Sequence, residues 1–253
     1  MTEFIRNVYI SRNFIFLNFI NRNQTATTMK SYLIIILLVI SQVVFSQENS
    51  TEKPNYKKIE KAVSSKSSKF CYPSLMKRYL NSDSTLSLDQ KRHLYYGYTF
   101  QPSYDPYGFS AFNDSIRSIL NKEVMDTADY HLVNIYADSL LAHNPFDVKA
   151  LNNKLLVYDF LKDENGFMKI IIKMNIIFDA ILSSGDGMEP ETSIYVIETH
   201  HEYEVLNLLG FKFGGQQSLI GTCDYLTVKQ NQYRIEGFYF DVSPCLEHLR
   251  LKK

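Results

Sequence analysis

The sequence predicts an α+β fold, with an N-terminal helical part and a C-terminal small antiparallel sheet carrying short helices. Three observations carry this. Apolar residues recur at helical spacing between readable caps from Tyr56 to Leu182. β-branched and aromatic runs of strand length replace that pattern after Gly187. Helices and strands segregated along a chain specify α+β layers rather than an alternating parallel sheet. The helical part is expected over residues 56–187 and the sheet-containing part over 188–253, in a single domain.

Each element follows in order. Tyr56, Ile59 and Val63 lie on one helical face. Pro73 suits the first turn of a second helix carrying Leu75, Met76, Tyr79 and Leu80. Ser87 and Gln90 form a capping box for a third helix, which Pro102 limits to about Phe100. On it Leu88, Leu94, Tyr95 and Tyr98 share one stripe, while Tyr96 and Phe100 lie opposite, as in a helix sandwiched between layers. Gly97, unfavourable inside a helix, points to close approach of another backbone. Further helices are expected over Phe112 to Leu120 and Asp126 to Ala142. The second of these should pack through Leu132, Ile135, Tyr136, Ser139 and Leu140. The pair from Pro145 to Leu182 has roughly the 34-residue tetratricopeptide spacing, so TPR-like stacking is expected there. "TSIYVIET", "QQSLIG", "CDYLTVKQ" and "RIEGFYFDVS" read as strands. In the third, Tyr225 alternates with polar Asp224 and Thr227. "HHEYEVLNLLG" and "PCLEHLRLKK" read as short helices.

Residues 29–46 have the layout of a secretory signal peptide: Lys30, an unbroken apolar run from Leu33 to Ile40, and small Ser46 before Gln47. Residues 1–28 read as an upstream extension or a long n-region, and residues 47–55 as a flexible linker. The expected localisation is therefore exported, periplasmic or extracellular, with no membrane span once the signal is cleaved. The full chain is formally neutral. Removing residues 1–46, which hold four basic residues and one acidic residue, leaves 23 basic and 26 acidic. That balance gives no electrostatic footprint for nucleic acid. Export permits disulfides, but three cysteines cannot all pair within one chain. Cys223 and Cys245 read as small buried hydrophobes.

The chemistry-bearing patterns are few. No phosphate-binding glycine loop or nucleophile elbow is present, and no cofactor is expected. "ETHHEYE" carries two histidines, but the side chains of neighbouring residues diverge, so no metal site is expected there. The aromatic stretch "RHLYYGYTFQPSYDPYG" is the main candidate, because tyrosine rings stack on sugars and peptides while their hydroxyls fix orientation. Apolar residues at helical spacing read first as core, so Tyr95 and Tyr98 are expected to be buried. Beyond Pro102, Tyr104 and Tyr107 are expected to keep accessible rings. The candidate ligand-binding residues are Tyr96, Gln101, Tyr104, Asp105 and Tyr107.

The run from Tyr72 to Gly108, with "LYYGY" and "QPSY", resembles the secreted bacterial family known as domain of unknown function 4919. "NPFDVKAL", "SSGDG", "HHEYEVLNLLG", "CDYLTV" and "FYFDV" continue the likeness to about Leu246. The resemblance implies export from bacteria of the Bacteroides type and implies no activity. The expected function is a non-enzymatic interaction module of the cell envelope, with an envelope protein, peptide or glycan as partner. The alternative is an exported hydrolase using Asp105 or His93 beside an aromatic groove.

Overall fold

The computed structural model describes residues 51–251. The expected signal peptide, the upstream segment and residues 47–50 of the linker lie outside the described residues. Among the described residues there are nine α-helices and four strands. Helices α1 (Tyr56–Ser64), α2 (Tyr72–Leu80), α3 (Leu88–Gly97), α4 (Phe112–Leu120), α5 (Thr127–His143), α6 (Val148–Leu161) and α7 (Glu164–Leu182) come first. Strand β1 (Ile194–Tyr195), helix α8 (His200–Leu209), strands β2 (Phe213–Ile220), β3 (Cys223–Val228) and β4 (Gly237–Asp241), and helix α9 (Ser243–Leu251) follow. The fold is α+β, as expected. No helix among the described residues is long and apolar enough to cross a membrane.

Local chemistry sets the helix ends. Asn55, Ser87, Asp126, Asp147 and Asp163 each accept a backbone N–H from the first turn of the helix they precede. Ser87 and Gln90 close the expected capping box. Gly210 stops α8 in the left-handed conformation, at φ +88°. Helix α3 ends at Gly97 and tightens into a 3-10 turn over Tyr98–Phe100 before Pro102.

Helix α3 is central and packs on α1, α2 and α7. The approach at Gly97 is by a side chain rather than a backbone: a Cβ there would lie 2.8 Å from Val63 Cγ1. Leu88, expected on the buried stripe, is exposed at the first turn of α3. Helices α4 to α7 each pack on the next. Ile116, Ile119, Val133, Ala137, Leu140, Ala150 and Val157 form one apolar cluster among them. This corrects the expected face of α5, because Leu132 and Ile135 are exposed while Val133, Ala137 and Leu140 are buried. Two adjacent rows of α5 are apolar, and small Ala137 in the same cluster as Ala150 selects the row that brings α5 close to α6.

The sheet has the order β1-β4-β3-β2. The pairs β2–β3 and β3–β4 are antiparallel, whereas β1 runs parallel to β4 through Ile194 and Tyr195. The sheet is therefore mixed rather than wholly antiparallel. A parallel neighbour needs a long crossover, and α8, β2 and β3 supply one between β1 and β4. Asp224 also departs from expectation. It shares the period-2 face of Leu226 and Val228, and all three are buried.

Candidate functional site

The aromatic stretch divides between Tyr104 and Tyr107 rather than at Pro102, where the division was expected. Tyr96 is fully buried, and its hydroxyl donates to the carbonyls of Ala180 at 3.1 Å and Tyr195 at 3.3 Å. It joins α3 to the end of α7 and to β1. Gln101 is half-buried and donates through Nε2 to the Gly97 carbonyl at 3.2 Å. Tyr104 is 6% exposed, which corrects the expectation of an accessible ring. Its hydroxyl donates to the Ile197 carbonyl at 2.7 Å, and its ring packs edge-on against Tyr98 and His248. The Ile197 carbonyl is buried and needs donors, and the folded-back loop supplies one. Asp105 is exposed and lies 3.4 Å from His248 Nε2. Tyr107 keeps 44% of its surface. The five candidates thus do not line one groove. His93, the other residue considered for hydrolysis, stacks on Phe70 and donates to the Asp89 carbonyl, remote in its partners from Asp105.

Beneath this stretch runs a buried polar chain. The Ile197 N–H donates to Tyr95 Oη at 3.3 Å, and Tyr95 Oη pairs with His201 Nδ1 at 2.7 Å. His201 Nε2 lies 2.9 Å from the Phe146 carbonyl. A carbonyl can only accept, so Nε2 carries the hydrogen and Nδ1 receives the Tyr95 proton. Burial, helped by the neighbouring His200, holds His201 well below the usual histidine range, as this neutral tautomer requires. A Tyr95→Phe substitution leaves His201 Nδ1 and the Ile197 amide unsatisfied. The expected cost is about 1–3 kcal/mol in denaturant melts, and a melt within a few tenths of wild type would discount the chain.

Glu198, His200 and His201 bring one ligand-type atom each within 4.8 Å of one another. The two adjacent histidines therefore converge more closely than the divergence of neighbouring side chains suggested, because His200 and His201 open a helix just after a bend that returns Glu198 to them. Most of these atoms nevertheless have partners, although His200 Nε2 has none among the described residues. Both His201 nitrogens are used, and Asn144 Nδ2 donates to both Glu198 oxygens at 2.8 and 2.9 Å. Burial, then the charge of Asp147, raises Glu198 well above the carboxylate range, while burial lowers His200. Glu198 Oε2 and His200 Nδ1 lie 3.2 Å apart.

A second carboxyl lies one residue beyond His201. Glu202, in the first turn of α8, is 0% exposed, and among the described residues no amide, hydroxyl or cationic group donates to either of its oxygens. Burial, then the charge and contact of Asp224, push it up to about 9. Asp224 Oδ2 accepts from Gln217 Nε2 at 2.7 Å, and Gln217 Oε1 accepts from Tyr203 Oη at 2.6 Å. Tyr107 belongs to the same neighbourhood: burial, then the charges of Cys245, Asp224 and Glu202, raise its hydroxyl. Sequence reasoning missed Glu202 and Asp224. The available signal was the period of two along β3, which puts Asp224 on the face of Leu226.

The model of the family described as domain of unknown function (DUF4919) matches residues 57–250. The chain belongs to that family. No curated protein and no solved structure matches it. The family match spans every residue of the buried chain and both Glu202 and Asp224, so all of them lie within the matched region. The three cysteines are free, with Cys223 and Cys245 buried. Cys245 donates to the same Ile197 carbonyl that Tyr104 holds, at 3.3 Å.

Proposed function

We propose that the chain is an exported, non-enzymatic interaction module of the cell envelope that docks an extended segment of an envelope protein along β2. The free edge of the sheet carries this reading. Strand β2 pairs with β3 on one side, and no strand among the described residues pairs with its other side. Gly214 to Ile220 are all exposed. The run contains no charged residue and no proline, the usual protections of an open edge. An uncovered edge of this kind presents unpaired N–H and C=O groups to an incoming strand, with Leu219 and Ile220 as apolar side-chain contacts. Helix α8 touches this strand through Tyr203, whose hydroxyl donates to Gln217 Oε1.

The test uses the full chain as bait in envelope extract, beside a Leu219→Lys variant. Leu219 is exposed, so the variant should melt as wild type does. A protein retained by wild type should be lost at least tenfold in the variant, and amides of β2 should exchange more slowly in the complex. Retention that ignores Leu219→Lys, with β2 exchange unchanged, would remove the edge from the reading. Self-pairing of two copies would show instead as a dimer in light scattering.

A further inference from the structure

We infer that the segment docked along β2 is the C-terminal end of its partner, and that its terminal carboxylate enters a cavity at the start of β2, beside Lys229 and Arg234. The inference rests on the β2-edge reading and adds the chemistry and direction of the partner. The cavity measures about 540 Å³ and is walled by Gly214 and Gln216 of β2, the end of β3 and the loop from Lys229 to Glu236. That size suits a peptide end or a small molecule.

The loop is pre-organised. Asn231 Oδ1 accepts from the N–H groups of Tyr233 at 3.1 Å and Ile235 at 3.2 Å, and its Nδ2 donates to the carbonyls of Lys229 at 3.1 Å and Ile235 at 2.7 Å. A loop tied in this way loses little freedom when a ligand arrives. Arg234 sits within it at φ +57°, a left-handed conformation that an arginine rarely adopts. An arginine kept there against its backbone preference calls for a use of its guanidinium. Lys229 and Arg234 are both exposed, and neither belongs to an ion pair among the described residues. Glu236 is the one carboxylate on the cavity wall, so positive charge is in excess. A guanidinium fork matches the two oxygens of a carboxylate.

The start of β2 gives access. Its register shifts between Phe213 and Gln217, and the Thr227 hydroxyl fills the gap by accepting from the Gln216 N–H at 3.2 Å and donating to the Gln216 carbonyl at 3.1 Å. A Cβ on Gly214 would lie 2.7 Å from Thr227 Oγ1, and one on Gly215 would meet no atom within 4 Å. Without side chains at these two positions, a chain laid on the free edge can cross low over β2 into the cavity. The cavity lies at the Phe213 end, so a strand that finishes there runs antiparallel to β2, with its earlier residues beside Leu219 and Ile220.

The experiment screens the full chain against random peptides of eight residues, the length of β2, anchored through their N-termini and presented both as free acids and as C-terminal amides. Peptides bound as free acids should weaken roughly tenfold or more as amides, and by as much against Arg234→Gly and Lys229→Gln. Arg234→Gly should melt no lower than wild type, because glycine takes φ +57° freely, so its lost binding is not a lost fold. Equal binding of acids and amides overturns the inference, as does binding unchanged in both variants. If that equal binding is lost in Leu219→Lys, the edge reading stands without this inference. Acid-specific binding that ignores Leu219→Lys removes the edge and keeps the carboxylate site. Absence of any peptide binding also overturns the inference, and a titration with sodium glucuronate then tells whether the cavity takes a free acid instead.

Discussion

Truncating Tyr98 to Ala should destabilise the domain by about 3–5 kcal/mol, as deletion of a large buried aromatic does. Tyr98 is 2% exposed, and its ring packs edge-on against Tyr104 and Phe146. Its hydroxyl is shared between the carbonyls of Ser103 at 3.1 Å and His143 at 3.2 Å. One side chain thus joins the end of α3, the following loop and the end of α5. Removing it opens a cavity and leaves two carbonyls without their donor. Tyr107→Ala should cost well under half as much, because that ring is already partly in solvent. Urea melts of the two variants decide the matter. Equal losses would mean that the whole stretch from Tyr95 to Tyr107 is one core element.

The second large effect is a pH dependence centred on Glu202. Its folded value, about 9, lies above the 4.5 of the free side chain. Between those values the folded chain holds a proton that the unfolded chain has released. The stability from this group is therefore fully present below about pH 4.5 and is lost as pH rises towards 9. The slope approaches about 1.4 kcal/mol per pH unit at its steepest. The groups facing Glu202 sharpen the comparison. Burial pushes Cys245 up to about 12, and Tyr107 and Tyr203 are also raised, so all three stay protonated through the window. Asp224 supplies the opposing charge. Glu198 is raised too and adds a slope of its own, so the informative quantity is the difference between wild type and Glu202→Gln. Measured in EDTA at pH 5, 6.5 and 8, wild type should lose stability relative to the variant as pH rises. Parallel curves would show that Glu202 is ionised across the range.

The legible parts of the site and those that stayed hidden differ for a physical reason. Tyr95 and Tyr98 were readable as buried because a capped helix fixes their direction and the neighbouring positions are apolar on both sides. Tyr104 was not readable: its burial depends on the Ile197 carbonyl, 93 residues away, needing a donor. The "HHEYE" run looked like an exposed polar helix start. Two of its members, His201 and Glu202, are buried, as is Val205 just beyond, and His201 is held between Tyr95 and the Phe146 carbonyl. Asp224 looked like the polar side of an alternating strand, whereas both faces of β3 are largely covered.

By itself, the sequence determined the identity and order of the elements. Caps at Asn55, Ser87, Asp126, Asp147 and Asp163, the breaks at Pro102 and Gly210, and the change of period after Gly187 act over a few residues, and they hold whatever the rest of the chain does. Only the tertiary structure decided which apolar row of α5 faces inward, that β1 lies parallel to β4, that Tyr104 is buried, and that Glu202 meets Asp224. Each of these is a contact between residues far apart in the chain. Such contacts are fixed by competition for burial and for hydrogen-bond partners across the whole domain, and no local pattern encodes who wins.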